Sequence, residues 1–100
     1  MHPTVKKIID QLKNYNPEKI ILFGSYAHGK PKADSDVDLL VIKTTADSFL
    51  ERQKKIHMLL KTIIPVDVFV FTPQEFETGK MYNLFVKEAV QTGKIVYGQE

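Results

Sequence analysis

The stretch from Leu22 to Ile42, LFGSYAHGKPKADSDVDLLVI, is rich in residue types that bind phosphate groups and metal ions. It contains a Gly-Ser pair, a Gly-Lys pair and three alternating aspartates. These residues approach three motifs: a P-loop, a calcium-binding loop, and a Gly-Ser pair followed after ten residues by Asp-x-Asp. The motif that applies decides what chemistry the chain can perform.

The P-loop interpretation starts at Gly24 and reaches Lys30. It requires a serine or threonine after the lysine, to bind Mg²⁺, and a helix that continues from there. Pro31 follows instead, and it supplies no hydroxyl and favours an extended backbone at Lys30. The sequence therefore argues against a P-loop.

The calcium-loop interpretation starts at Asp34 and requires glycine at the sixth position and glutamate at the twelfth. Those positions hold Leu39 and Thr45, and the segment runs into apolar residues typical of a strand. We therefore do not expect Asp34 to be a metal ligand.

The third motif places Asp36 and Asp38 two residues apart at the start of a strand. Both side chains then point to one face, about 6–7 Å apart along the strand. Two carboxylates in this arrangement repel each other unless a cation lies between them. Hard oxygen ligands suit Mg²⁺ or Mn²⁺, which is usually shared with a phosphate.

Gly24 and Ser25 follow directly on the preceding apolar strand. Glycine permits a sharp turn and a close approach to a ligand, and a helix that starts at Ser25 would direct free N–H groups and the hydroxyl at an anion. Lys30, or alternatively Lys32, is a secondary candidate for a phosphate contact. A phosphate site beside a metal site is the equipment for phosphoryl or nucleotidyl transfer.

Asp67 is the only charged residue in the segment IIPVDVFVF. An acid at the start of a buried strand needs a partner or a function. If this strand lies beside the strand of Asp36 and Asp38, Asp67 reaches the same cation and can help to deprotonate an attacking hydroxyl. A salt bridge to a lysine is the alternative, just as Gly24-Ser25 alone is a common strand-to-helix turn.

The predicted elements alternate in the order α-β-α-β-α-β-α-β, which predicts an α/β (α+β) fold with a small mixed sheet covered by helices. In chain order they are a helix at 4–14, a strand at 19–23, a helical turn at 26–28, a strand at 37–42, a helix at 47–63, a strand at 66–71, a short helix from Pro73, an amphipathic helix from Tyr82 to Val90, and a strand at 95–97. We predict Arg52 on the solvent-facing side of its helix, Ile63 on the apolar side, and Gly93 as the left-handed residue that ends the last helix.

The composition limits the class of protein. One hundred residues with 43% hydrophobic and 26% charged content predict a single domain, 1–100, and the absence of Cys fits a reducing compartment. A net charge of +2 is too small to indicate nucleic-acid binding. Since no apolar run approaches membrane-spanning length, we expect a cytoplasmic chain with no membrane partner.

The combination of Leu22-Phe23-Gly24-Ser25 with Asp36-Val37-Asp38 resembles the minimal nucleotidyltransferases of the DNA polymerase β superfamily. The leading helix, Asp67 and the closing FVKEAVQTGKIVY fit the same pattern. The resemblance implies a polymerase β-like nucleotidyltransferase fold in which Asp36, Asp38 and Asp67 ligate two Mg²⁺ ions (or Mn²⁺). Gly24 and Ser25 would hold the phosphates of ATP. It also implies an antitoxin that transfers AMP to a tyrosine of an all-helical HEPN toxin.

The sequence departs from the family at Tyr26 and His28, in a segment where the family commonly carries arginine. That departure leaves open a non-catalytic antitoxin that neutralises its partner by binding. A small-molecule nucleotidyltransferase of the antibiotic-modifying type is a further alternative. The aromatic residues of the C-terminal half are predicted to be core, and any exposed members could form a surface for a partner; they are Phe69, Phe71, Phe76, Tyr82 and Phe85.

Overall fold

The computed structural model describes residues 2–31 and 35–98. Lys32 and Asp34, which the sequence analysis weighed as a phosphate contact and a calcium ligand, lie outside the described residues. The elements are α1 (Pro3–Leu12) with a 3₁₀ turn (Lys13–Tyr15), β1 (Lys19–Phe23), β2 (Val37–Ile42), α2 (Phe49–Leu59), β3 (Val66–Phe71), α3 (Pro73–Tyr82), α4 (Leu84–Thr92) and β4 (Lys94–Tyr97). None of the helices in these ranges combines the length and the hydropathy that crossing a bilayer requires.

The four strands form one mixed sheet in the order β3-β2-β1-β4. β1 is antiparallel to both of its neighbours, whereas β2 and β3 are parallel and are joined through α2. The predicted fold class, a small mixed sheet covered by helices, is confirmed.

Helices cover both faces of the sheet, and the period of two along each strand divides the core between them. On the first face, the α1–α2 face, the odd-numbered residues of β2 and the even-numbered residues of β3 pack against α1 and α2. On the second face, the α3–α4 face, Leu40 and Ile42 of β2 pack with Phe76 of α3 and with Val86 and Ala89 of α4. Asp38 belongs to the α3–α4 face because it lies two residues before Leu40.

The predicted element order is wrong directly after β1. Residues 25–29 form a succession of turns and not an α-helix. Glycines at both ends, Gly24 with φ 76° and Gly29 with φ 71°, have left-handed backbone conformations that interrupt a right-handed helix. Four residues between such breaks are too few to nucleate a stable helix.

The prediction for Arg52 is also wrong, because its side chain is buried and only 6% exposed. Its Nη1 and Nη2 donate to the two carboxylate oxygens of Glu75 at 2.7 and 3.3 Å, its Nε donates to the Asp47 carbonyl at 2.9 Å, and Nη1 also reaches the Val70 carbonyl at 3.4 Å. The planar fork of a guanidinium can bind a carboxylate and backbone carbonyls at once. The Arg52 hydrogen bonds lower the pKa of Glu75, and they tie α2 to β3 and to the first turn of α3.

Helix α2 is shorter than predicted, and Ile63 lies beyond it with its side chain fully exposed. α2 begins at a Ser48 cap, whose hydroxyl accepts from the Glu51 N–H at 3.2 Å. Leu60 has an extended backbone and ends the helix well before Pro65. The apolar periodicity of the sequence therefore extends beyond the residues that are helical in the structure, which made the predicted helix too long.

Gly93 does not adopt the predicted left-handed conformation, since its φ is −80°. A Cβ at this position would collide with the Ala89 carbonyl and would lie 2.6 Å from Cγ2 of Ile21. Glycine is needed here because α4 and β1 approach closely, and not because the backbone is left-handed.

Candidate active site

Asp38 and Asp67 lie side by side at the same end of two parallel strands. They are Cα partners in the register of β2 with β3, where neighbouring strands are about 4.8 Å apart. Both side chains point to the α3–α4 face, because Leu40 and Phe69 follow two residues later on that face. The structure thus brings together two of the carboxylates that the sequence singled out.

Gly24 stands directly against Asp38. Phe23, the last residue of β1, is the Cα partner of Asp38, and the next residue turns the chain away with φ 76°. A Cβ on Gly24 would collide with the Asp38 carboxylate, whose Cγ would be 3.2 Å away. By contrast, a Cβ on Gly29 would meet nothing within 4 Å. The absence of a side chain at position 24 is therefore what allows the turn to lie against the carboxylate.

The turn that follows Gly24 uses most of its own N–H groups. Residues 27–30 donate backbone hydrogen bonds within the turn, at distances from 3.1 to 3.4 Å. Within the described ranges, the N–H groups of Ser25 and Tyr26 have no backbone acceptor. An anion at this turn would be met by these two N–H groups and the half-buried Ser25 side chain, rather than by a helix N-terminus.

Asp36 and Lys30 lie at the margin of the site. Asp36 precedes β2 and is exposed, and Lys30 is exposed at the end of the turn, where its N–H donates to the Ser25 carbonyl at 3.4 Å. Asp36 is near enough for its charge to act on Asp38. The structure thus brings Gly24, Ser25, Asp38 and Asp67 together and leaves Asp36 and Lys30 beside them.

Burial, together with the charges of Asp67, Glu88 and Asp36, raises the pKa of Asp38 from 3.8 to about 6. A protonated Asp38 can also donate a hydrogen bond to Asp67, which favours the neutral form. Carboxylates that crowd each other in this way are relieved either by a proton or by a cation. The electrostatics therefore favour a bound positive charge at this end of the sheet.

Glu88 on α4 is the acidic neighbour that sequence reasoning missed. Its charge acts on Asp38 more strongly than that of Asp36, although it is fifty residues away along the chain. Helix α4 crosses from β3, where Phe85 stacks on Phe69, to β1, where Gly93 abuts Ile21. This crossing is a tertiary feature, and the segment FVKEAVQTG shows only an amphipathic helix.

Among residues 2–31 and 35–98, no three His, Cys, Asp or Glu side chains are arranged to hold a metal ion together. The Asp38–Asp67 pair nonetheless fits Mg²⁺, which commonly takes one or two carboxylates and completes its coordination with water and substrate phosphates. Asp36 would have to rotate toward the pair to become a third ligand.

Tyr26 does not take the place of the arginine that the resemblance leads one to expect. Its ring makes an edge-to-face contact with His2, with centroids 5.3 Å apart, and it packs against the core of the α1–α2 face. His28 is exposed. Tyr26 therefore faces α1 and not the carboxylates.

The sequence model of the polymerase β nucleotidyltransferase domain matches residues 6–100. The chain belongs to this family. The predicted resemblance is thereby confirmed, and the domain is a nucleotidyltransferase domain.

Two proteins of Methanocaldococcus jannaschii, both provisionally named protein adenylyltransferases, are similar to the chain. One is 32% identical over 65% of this chain and 66% of its own length, so the match covers about two thirds of that relative. The other is 29% identical over 93% of this chain and 94% of its own length. A solved toxin–antitoxin complex, MntA–HpeT, contains a chain that is 25% identical to this one, with a TM-score of 0.62 over 96% of this chain and 73% of that one.

Proposed function

We propose that the chain transfers AMP from ATP to a hydroxyl group of a protein partner, in a reaction that requires Mg²⁺. The observation that carries the proposal is the register of Asp38 with Asp67 beside the Gly24 turn. The provisional names of the two archaeal relatives support adenylyl transfer to protein. The likeness to a chain of a solved toxin–antitoxin complex supports a toxin as the acceptor, and we extend this to a tyrosine of an all-helical HEPN toxin.

Each candidate residue has a distinct role in this proposal. The N–H groups of Ser25 and Tyr26 and the Ser25 hydroxyl hold the triphosphate, and Gly24 lets the triphosphate approach Asp38. Lys30 is a secondary contact for the phosphates. Asp36, Asp38 and Asp67 are the residues that would hold Mg²⁺. When bound, Mg²⁺ supplies positive charge that neutralises the triphosphate and favours departure of pyrophosphate.

The transfer itself is a displacement at the α-phosphorus of ATP. The acceptor oxygen forms a bond to that phosphorus, the bond to the oxygen bridging to the β-phosphate breaks, and pyrophosphate leaves. We assign acceptance of the hydroxyl proton to Asp67, which is the more exposed carboxylate of the pair.

AMP addition to the partner tests the proposal directly. The purified chain is incubated with MgATP and a purified HEPN-type toxin, and the intact mass of that toxin is measured. We expect the mass of one or more AMP groups with the wild type and none with Asp36→Asn or Asp67→Asn. AMP addition by either variant at the wild-type rate would contradict the assigned roles.

A binding antitoxin without catalysis is the second candidate. It is favoured by the position of Tyr26, which faces α1 and brings no positive charge to the triphosphate. In that case the chain forms a stable complex with the toxin and protects cells, while the partner's mass stays unchanged. A cytoplasmic location, favoured by the lack of Cys, is part of both proposals.

A further inference from the structure

Four apolar side chains are exposed where α3 meets α4. Met81 is 66% exposed, Tyr82 78%, Leu84 79% and Phe85 49%. They lie on both sides of the cap residue Asn83 in the chain, and we call this group of side chains the junction surface. Isolated exposed apolar residues are ordinary, but a group of this kind marks an interaction site.

The junction surface begins at the edge of the candidate active site. The Phe85 ring stacks on Phe69, with centroids 4.6 Å apart and planes 26° apart. Phe69 lies two residues after Asp67 on the same face of β3, a separation of about 6–7 Å. The Phe85 end of the surface therefore lies close to the position of Asp67 on this face of the sheet.

A groove of about 490 Å³ extends the same surface toward α2. Tyr82 and Phe49 stand at its sides, and Phe71 and Gly79 are among the residues that line it. Since Phe49 is itself 49% exposed, the groove offers an apolar recess for a side chain of a bound protein.

The surface is held rigidly by the packing beneath it. The Asn83 side chain accepts from the N–H groups of Phe85 and Val86, at 2.9 and 3.2 Å, and so fixes the start of α4. At Gly79 the two helices approach so closely that a Cβ would lie 2.8 Å from Cγ2 of Val86. A surface that needs no rearrangement loses little conformational entropy on binding.

We infer that the junction surface docks the protein substrate, which places apolar side chains on it and its acceptor hydroxyl beside Asp67. This inference rests on the proposed function and names the surface that function requires. Glu88 is an exposed acid near Asp38 that the proposed function does not assign to Mg²⁺, so the substrate should carry a basic side chain near its hydroxyl. A second copy of this chain bound through the same surface would instead present its own Glu88 there, which is unfavourable.

Substitution of Leu84 tests the inference, because this residue is exposed and touches neither core nor carboxylates. Leu84→Ser removes apolar contact without adding charge, and Leu84→Glu adds a charge to the interface. The control is Met58→Glu on α2, at a residue 80% exposed and part of neither the junction surface nor the site. A purified HEPN-type toxin, here called the HEPN protein, and MgATP serve as probes in calorimetric titrations.

We expect both Leu84 variants to weaken binding of the HEPN protein, Leu84→Glu by about tenfold or more, as for a central interface residue. Affinity for MgATP should stay at the wild-type value in all three variants, and Met58→Glu should bind the HEPN protein normally. Equal HEPN affinity for the wild type and both Leu84 variants would overturn the inference. So would a wild-type dimer in sedimentation that Leu84→Glu dissociates, because the surface would then be a self-interface.

The two proposals fail separately in these experiments. If Asp36→Asn abolishes AMP addition while the Leu84 variants add AMP normally, the enzyme stands and the docking surface is wrong. If the wild type binds the HEPN protein without AMP addition and the Leu84 variants lose that binding, the docking surface stands and catalysis is wrong.

Discussion

The two faces of the sheet are built from the same strands but meet different demands. On the α1–α2 face, Val37 and Leu39 of β2 and Val68 of β3 are almost completely buried. On the α3–α4 face, the corresponding end of the same two strands carries Asp38 and Asp67. The α1–α2 face is apolar up to this end of the sheet. The α3–α4 face instead carries a pair of aspartates at this end of the two strands.

This difference separates residues that stabilise the fold from candidate catalytic residues, even where the two are neighbours in the chain. Alternate positions of β2 point to opposite faces, so Asp38 and Leu39 are neighbours in the chain with opposite surroundings. The face with α1 and α2 supplies the hydrophobic stabilisation that lets the other hold crowded carboxylates. Substitutions at adjacent positions should then have opposite effects.

Asp38→Asn should produce the largest change, a loss of AMP transfer by about 10³-fold, comparable to removal of a key electrostatic group. The melting temperature should not fall, since the substitution removes a charge from a crowded site. Transfer rates and thermal unfolding are measured on the same preparation. Asp10→Asn, at an exposed acid that pairs with Lys13 on α1, is the control with wild-type activity. A destabilised Asp38→Asn would erase the distinction between the faces.

Leu39→Ala should do the reverse, with a loss of about 2–5 kcal/mol in the free energy of unfolding, because it opens a cavity in a closed core. Transfer activity per folded molecule should remain near wild type at low temperature. Urea unfolding gives the stability, and Leu84→Ala at an exposed site should change it by no more than about 0.5 kcal/mol. Equal stability of the two variants would show that the α1–α2 face is not the stabilising one.

Gly24→Ala and Gly29→Ala form a matched pair across the turn. Both positions have left-handed φ, so each alanine should cost about 1–2 kcal/mol of stability. Only the alanine at 24 meets the Asp38 carboxylate, so only Gly24→Ala should lower transfer, by about 10- to 100-fold. Similar transfer rates for the two variants would mean that the contact between the turn and Asp38 is unimportant.

The smallest effect concerns pH in the metal-free protein. Because folding raises the pKa of Asp38 from 3.8 to about 6, the folded chain binds this proton more tightly than the unfolded chain. The free energy of unfolding should therefore decrease as pH rises between about 4 and 6. Melting curves in EDTA should show the wild type losing a few degrees relative to Asp38→Asn over this window. Parallel curves for the two proteins would argue against a strained carboxylate pair.

The sequence predicted β1, β2 and β3 with their observed bounds, because each is a short apolar run between strong breaking signals. It also predicted that Asp67 would meet Asp38 if their strands were neighbours, as they are. The roles of these residues in metal binding and catalysis stay predictions. Local sequence patterns were sufficient to predict these strands and the face of the sheet to which Asp38 and Asp67 point.

Three of the misses depend on contacts between distant segments. Arg52 has a charged side chain in a charged stretch, and only the approach of Glu75 and the β3 carbonyls explains its burial. Gly93 fits the usual helix-ending pattern, yet its need for glycine comes from Ile21 on another element. Glu88 reaches Asp38 only because α4 crosses the sheet. No periodicity in the sequence contains this information.

The hydrogen bonds from α2 to β3 also affect the tendency of the molecule to aggregate through the edge of its sheet. β3 is an edge strand, and an edge exposes carbonyl groups to which a strand of another chain can pair. Arg52 donates to the Val70 carbonyl at 3.4 Å and Gln53 to the Val68 carbonyl at 2.9 Å, so two successive outward carbonyls are covered by side chains of the chain itself. Arg52, which holds α2 in place, thereby also hinders the pairing of β3 with a strand of another chain.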